Sequence, residues 1–480
     1  MSTKTKRKLY ISIIADFAVF LISLLLSVNT LFAVAVVLWL VAVEYTLFDL
    51  KNRAALLLFL AAFYVFLMGS EIAVSYFGYP QEFTFTKEIN NHTYLCLCIS
   101  LIGLIAGFHL TTVVRSRLSV SSKAIMPEDI RFGRVRKMAI IGMIISVFPY
   151  YLERIVSGLY VLEHGYLSLF VSYQSPLPGI LIQLGETFPL FFFMFLATMP
   201  SKKECRIPML VYFVYGIVSL MTGRRLYFGM AVLVIIAYAI LRQKMNPKER
   251  WITRRAVAAV VLVAPITMVA LYMYKYIRYD IAVEQNGYLD MLIRFFDQQG
   301  FSINVIKYEQ LYQDDIGIVS LYYTFKYFRT SILTKWLTTF PVQYYNLRDF
   351  HTAYYTNCLA DFIIYRVSPS MFAKGYGYGT SYIAELYRDG GYLLLAGGSA
   401  FYGVLLARLF DMRSGNVWKY TIALMILEQF MILPRYGADS ILRPFYSLTN
   451  MAVLVLCILI ERHNVVVKIG DRILLGNRSR

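Results

Sequence analysis

Charge is scarce in this 480-residue chain: 16% of its residues are Asp, Glu, Lys or Arg, where a soluble domain carries about a quarter. A disordered chain and a coiled coil both need more. Cysteine is scarcer still. Five are present (Cys96, Cys98, Cys205, Cys358 and Cys457), too few for a disulfide framework. His92 stands one turn before Cys96, but no fourth ligand accompanies it, so the C-x-C reads as core packing rather than a zinc site. Internal repeats and low-complexity tracts are not evident. A cleavable leader is not expected either. The basic residues 1–8 lead into an apolar run too long for a signal peptide, with no convincing small-x-small site after it.

What the chain has is apolar residues, 58% of the total, with a mean hydropathy of +0.57. They are clumped into blocks, several of which reach the roughly 20 residues that cross a bilayer. Blocks lie at about residues 9–28, 31–48, 54–70, 93–114, 138–155, 178–199, 207–221, 226–241, 256–276, 391–410, 419–434 and 444–460. The expectation is an all-α polytopic integral membrane protein with about 12 transmembrane helices. The charge pattern supports an even number. Lys plus Arg is 47 against 29 Asp plus Glu, and such an excess concentrates in cytoplasmic loops. With both termini inside, 30 of the 47 basic residues fall in cytoplasmic segments, and none occurs from Ile155 to Ser201. The excess thus needs no nucleic acid to explain it.

One stretch breaks the rhythm. Residues 275–391 hold no span-length block and face outside, too long for a plain connector. The chain therefore divides into nine helices in 1–274, a large outer helical loop in 275–391, three helices in 392–460 and a basic cytoplasmic tail in 461–480. Within the loop, Leu289, Leu292, Ile293 and Phe296 share one helical face, which suits a small helical subdomain resting on the membrane surface. The loop also carries 17 tyrosines. Interfacial belts use tyrosine, and so do sites where sugar faces pack on rings beside guanidinium forks that bind phosphate.

Arg224 and Arg225 follow Thr222-Gly223 in a tight outer turn. Paired arginines there oppose the positive-inside tendency. They read either as snorkelling to headgroups or as a phosphate clamp. Arg435 and Arg443, in the short loop between the last two helices, carry a weaker form of the same argument. Gly375, Gly377 and Gly379 alternate just before Thr380 and Ser381, candidate N-caps of a helix. Exposed amides at a positive helix end suit an anion, and a flexible hinge is the plainer reading. Ser381, Glu385 and Arg388 share a face by spacing. Glu385 either complements the helix dipole or acts as a general base. His351 is the single histidine of the large loop. Asp16, Glu186 and Glu428 lie within apolar helices, where carboxylates mark pathways or bond neighbouring helices. No carboxylate or histidine cluster calls for a metal.

Thr222-Gly223-Arg224-Arg225 at an outer helix end, the large outer loop, and then Gly377-x-Gly379-Thr380-Ser381-x-x-x-Glu385-x-Tyr387 with a glycine pair after it together resemble the Wzy-type O-antigen polymerases. The resemblance runs mainly from about Ile207 to Ile460; the N-terminal third matches only in hydropathy. It implies a GT-C-like enzyme at the periplasmic face of the bacterial inner membrane. Such an enzyme moves a glycan from undecaprenyl pyrophosphate onto a fresh lipid-linked repeat unit, beside a chain-length regulator and a flippase. Under that reading Arg224, Arg225, Arg278 and Arg388 steady the departing diphosphate. Gly377, Gly379, Ser381, Arg435 and Arg443 assist. Glu385 is the first choice for the base, with Asp280 or His351 as alternates. No cofactor is expected, because the activated donor carries the free energy. An O-antigen ligase that transfers glycan to lipid A core is the nearest alternative; a lipid-linked oligosaccharide flippase or a non-catalytic scaffold is more remote.

Overall fold

The computed structural model of the chain describes residues 3–81, 83–118, 130–279, 282, 287–315, 323–326, 328, 348–356, 358–409, 416–463, 468–469 and 472–473. Among them, nine helices are long and apolar enough to cross a membrane: Thr30–Leu47, Asn52–Phe77, Lys87–Val114, Phe132–His164, Gly179–Ala197, Lys202–Thr222, Arg225–Met245, Arg254–Tyr276 and Tyr382–Leu409. A bent pair, Ala438–Phe445 and Leu448–Arg462, makes a tenth with a 56° break. The first helix, Thr3–Leu25, has a shorter apolar part, and Val417–Phe430 has 14 residues. Every apolar block of the sequence is helical, but among the described residues nine or ten helices, not twelve, have full span length and apolarity. The strands among the described residues are one two-residue antiparallel pairing, Lys468–Ile469 with Arg472–Ile473. The protein is an all-α, multi-pass membrane protein.

Its spine is a backbone-to-backbone contact between two spans. A Cβ on Gly107 would sit 2.0 Å from the Ala400 carbonyl oxygen, and one on Gly403 would sit 2.1 Å from that of Leu104. Gly103 and Gly107 are four apart, and in lipid such spacing lets helices approach until dispersion and hydrogen bonds hold them. The Ser100 hydroxyl adds bonds to Tyr382 Oη (2.6 Å) and Ser399 Oγ (3.0 Å).

The second helix of this pair starts earlier than its apolar block. Tyr382–Leu409 is broken at Gly390 and Gly391, with φ of +61° at Gly391. Residues 382–389 are thus helical turns leading into the span and lie inside the protein, with Tyr382, Glu385 and Leu386 all buried.

Residues 288–311 are also drawn in more deeply than a surface subdomain would be. In Tyr288–Gln299 the contact face is Met291, Phe295 and Phe296 against Tyr272 and Tyr276. Leu289, expected on that face, is 68% exposed. The reason is local: the helix crosses the span Asn52–Phe77 at Gly69, where a Cβ would lie 2.6 Å from the Phe296 carbonyl oxygen. The next helix, Ile303–Leu311, is buried from Ile303 through Glu309 apart from Asn304. Its Lys307 pairs with Glu71, which also accepts from Tyr94 Oη. A buried ion pair needs such extra bonds to offset its desolvation.

The helix Arg254–Tyr279 is attached by its C-terminal end. Val257, Val260, Val261, Leu262 and Val263 are exposed, whereas Tyr272 and Tyr276 are buried and Tyr274 Oη donates to the Leu220 carbonyl.

Candidate functional site

The ends of several spans on one side meet at a tight turn. Lys202–Val218 ends in a 3-10 turn, Ser219–Thr222, and the chain reverses at Gly223, whose φ is +73°. Only glycine takes that conformation without strain. A Cβ there would also strike the Tyr166 ring, 2.2 Å from Cδ2. Tyr166 thus lies close over Gly223, and the Arg278 guanidinium stacks on the same ring at 3.5 Å from its centroid. Arg278 donates to the Gly223 carbonyl (3.4 Å) and to Tyr279 Oη (2.7 Å). Its Nε is buried and makes no hydrogen bond among the described residues.

Other guanidinium groups gather around this turn. Arg225 donates to the Leu271 carbonyl (2.6 Å). Arg224 lies 5.4 Å from the Phe170 ring centroid and within charge reach of Tyr227. Arg154 sits 4.7 Å from the Tyr227 centroid and donates to Tyr215 Oη. Arg435 donates to Gln299 Oε1 (3.1 Å). Three tyrosines knit the set together. Tyr166 lies within charge reach of Arg278, Arg224 and Arg435. Tyr227 sees Arg154, Arg224 and Arg443, and Tyr436 sees Arg443, Arg435 and Arg224. Burial raises the phenol pKa of Tyr166 and Tyr436 above the ordinary value, and the arginines pull against it. Burial holds the Arg435 guanidinium below its ordinary value, and Arg278 pushes in the same direction.

The opposite rim treats its arginines differently. The helix Ile130–His164 carries Arg136 near one end and Arg154 toward the other. Arg136 pairs with Glu204 at 3.0 Å, and Arg242 pairs with Glu249 at 2.7 Å. Arg154, Arg224, Arg225, Arg278 and Arg435 join no ion pair among the described residues. Two like charges 4 Å apart repel by about 4 kcal/mol at an effective dielectric of 20. A cluster that leaves its cations without carboxylates is suited to an incoming polyanion.

The glycine-rich segment runs beside this rim. A Cβ on Gly375 (φ +95°) would lie 3.1 Å from the Leu167 carbonyl oxygen, and one on Gly379 (φ +77°) would lie 3.9 Å from that of Arg435. Gly377 has open space around it. Ser381 is fully buried, and its hydroxyl accepts from the Ile383 amide (3.3 Å), as an N-cap does.

Glu385 is 1% exposed. Its two oxygens accept from Thr380 Oγ1 (2.8 Å) and from the Ala438 amide (2.7 Å). The carboxylate also lies against Gly437, where a Cβ would be 2.8 Å from Oε2. In this arrangement Glu385 latches the segment that carries Arg435.

The expected set does not converge completely. Arg388 turns away from the cluster to Glu309, 3.6 Å away, at a side-chain exposure of 9%. Burial raises the Glu309 carboxyl to about 7 while Arg388 opposes the rise. His351 is exposed, on the helix Phe350–Tyr355, 3.6 Å from Asp349. Asp280 lies outside the described residues. Arg443 is exposed and joins through Tyr227 and Tyr436. Conversely, sequence reasoning passed over Arg154 and Tyr166. Arg154 had a signal, a basic residue at the end of an apolar block, whereas Tyr166 had none beyond its type.

A sequence model of the family "O-antigen polysaccharide polymerase Wzy" matches residues 8–464, nearly the whole chain. No curated protein and no solved structure matches. Family match and apolar spans agree: this chain belongs to the O-antigen polysaccharide polymerase family.

Proposed function

We propose that the chain polymerises undecaprenyl-pyrophosphate-linked oligosaccharide repeat units at the periplasmic face of the inner membrane, with both termini in the cytoplasm. The acceptor hydroxyl oxygen bonds to the anomeric carbon of the donor glycan. The carbon–oxygen bond to the diphosphate breaks, and its electron pair leaves on the diphosphate. Negative charge grows there in the transition state, and preorganised donors at that position lower the barrier most. Arg224, Arg225, Arg278 and Arg435 are the residues we assign to it, with Arg154 and Arg443 at the margin. Guanidinium forks match phosphate oxygens in pairs, so the charge that a metal supplies elsewhere comes from the protein. A chain-length regulator and a flippase work beside it.

One observation carries this reading: five arginines share a tyrosine-lined outer rim with no carboxylate paired to them among the described residues. The test is direct. Purified protein in detergent receives a synthetic pyrophosphate-linked repeat unit and, as a competing acceptor, lipid A core, with a chelator present. A ladder of products is expected. No ladder, or transfer to lipid A core in place of another lipid-linked unit, contradicts the proposal.

A further inference from the structure

The arginines account for the leaving group but not for the proton of the acceptor hydroxyl. We infer that Glu186 is the general base that removes it. The inference rests on the polymerase reading above and names the acceptor side of the same site.

Several carboxylates among the described residues compete for the role near the rim. Asp439 is 3% exposed and accepts from the Phe328 amide (2.9 Å) and Tyr446 Oη (3.4 Å). Glu385 has both oxygens occupied and is shut from solvent. Glu428 is 8% exposed and accepts from Tyr212 Oη and Gln429 Nε2. Glu153 accepts from Tyr173 Oη (3.0 Å) and Ser175 Oγ (2.6 Å). Glu186 is exposed and makes no hydrogen bond or ion pair among the described residues. Its acceptor capacity is unspent.

Its backbone, by contrast, is tightly held. A Cβ on Gly185 would lie 2.9 Å from the Tyr150 amide nitrogen and 3.0 Å from the Pro149 carbonyl carbon. The helix Gly179–Glu186 thus touches the helix Ile130–His164 about one turn from Arg154. Thr187 Oγ1 closes onto the Leu184 carbonyl (2.6 Å), and Phe188 stacks on Tyr150 at 4.9 Å. The charged groups within reach of Glu186 are Arg154 and Glu153 on the one side and Arg443 on the other. The helix Leu448–His463 presents a neutral contact, Thr449 Oγ1 to Gln183 Oε1 (2.7 Å). A free carboxylate beside the cation cluster, on a fixed backbone, is what a base at the acceptor oxygen requires. The hydroxyl proton passes to a Glu186 oxygen as the oxygen bonds to the anomeric carbon and the diphosphate departs.

The test compares the full-length wild type with Glu186→Gln, Glu186→Asp and Glu153→Gln. Three quantities are read: the rate of ladder formation, the affinity for undecaprenyl pyrophosphate, and the pH–rate profile. Glu186→Gln is expected to slow transfer by about 100-fold or more with unchanged lipid affinity, and Glu186→Asp to restore part of the rate. A base must be deprotonated, so the acid limb of the wild-type profile should vanish from the residual rate of Glu186→Gln. Glu153→Gln should keep that limb. Wild-type rate in Glu186→Gln, a matching loss of lipid affinity, or an acid limb that persists overturns the assignment. An inactive wild type would sink the polymerase reading itself, which a ladder in both wild type and Glu186→Gln leaves standing.

Discussion

Replacing Glu385 separates a latch from a base. Both oxygens of this buried carboxylate are taken, by the Ala438 amide at 2.7 Å and the Thr380 hydroxyl at 2.8 Å. Glu385→Ala leaves two buried donors unsatisfied, at about 1–3 kcal/mol each. The loss is thus about 2–6 kcal/mol, enough to release the segment that holds Arg435. Glu385→Gln keeps the shape and one acceptor. Its carbonyl can take the Ala438 amide while the Thr380 hydroxyl rotates to accept from the new NH2, so the cost drops to about 1 kcal/mol. Thermal unfolding in detergent and ladder formation are measured on both variants. A latch predicts a large fall in midpoint and activity for Ala, with near-normal behaviour for Gln. A folded Glu385→Gln that has lost about 100-fold or more in rate would show the carboxylate acting as a base and refute the latch. An Ala variant as stable as wild type would refute it as well.

Arg225→Ala and Arg278→Ala should stay in the membrane yet leave lipid-linked single repeats on a gel. Each removes charge-assisted bonds of about 1.5–3 kcal/mol, or roughly 10- to 150-fold in rate. Arg225→Lys should rescue little, because an ammonium lacks the fork. Gly107→Leu should abolish accumulation of the protein, measured by immunoblot of membranes, since even a Cβ meets the Ala400 carbonyl oxygen at 2.0 Å. Gly223→Ala combines a left-handed φ with a clash on Tyr166; activity should fall while membrane levels hold. For Glu309, whose pKa rises from 4.5 to about 7, the sign is fixed by linkage. The stability tied to its protonated form is fully present below pH 4.5 and is lost as pH rises to about 7. Unfolding midpoints from pH 4 to 8 should therefore decline more steeply for wild type than for Glu309→Gln.

The spans were legible because a bilayer demands long apolar runs and sorts basic residues to one side. The paired Arg224 and Arg225 were legible as exceptions to that sorting, and the structure places them in one rim with Arg278 and Arg435. Spacing alone misled at Arg388. Ser381, Glu385 and Arg388 do share a helical face, but that face points into the protein, where Glu309 takes the arginine. No pattern in Ile303–Leu311 announces that the helix is buried nearly all round, because Lys307 and Glu309 look like surface residues until Glu71 and Arg388 meet them. Leu289 likewise lost its place to Phe295 once Gly69 fixed the crossing. Glu186 could not be told from Asp16 or Glu428 in the sequence; what separates them is which neighbours spend their lone pairs.

The gathered arginines also bear on how the protein behaves in the test tube. Mutual repulsion at the rim means that the fold is held least firmly when nothing anionic is bound. Extraction into uncharged detergent at low ionic strength removes both lipid headgroups and screening ions, so inactivation during purification is the expected hazard. Free diphosphate in the buffer, at about 100 times its dissociation constant, would add about 2.7 kcal/mol of protection. On the proposed reading, neutralising a single rim arginine should cost turnover while easing the repulsion that loosens the fold.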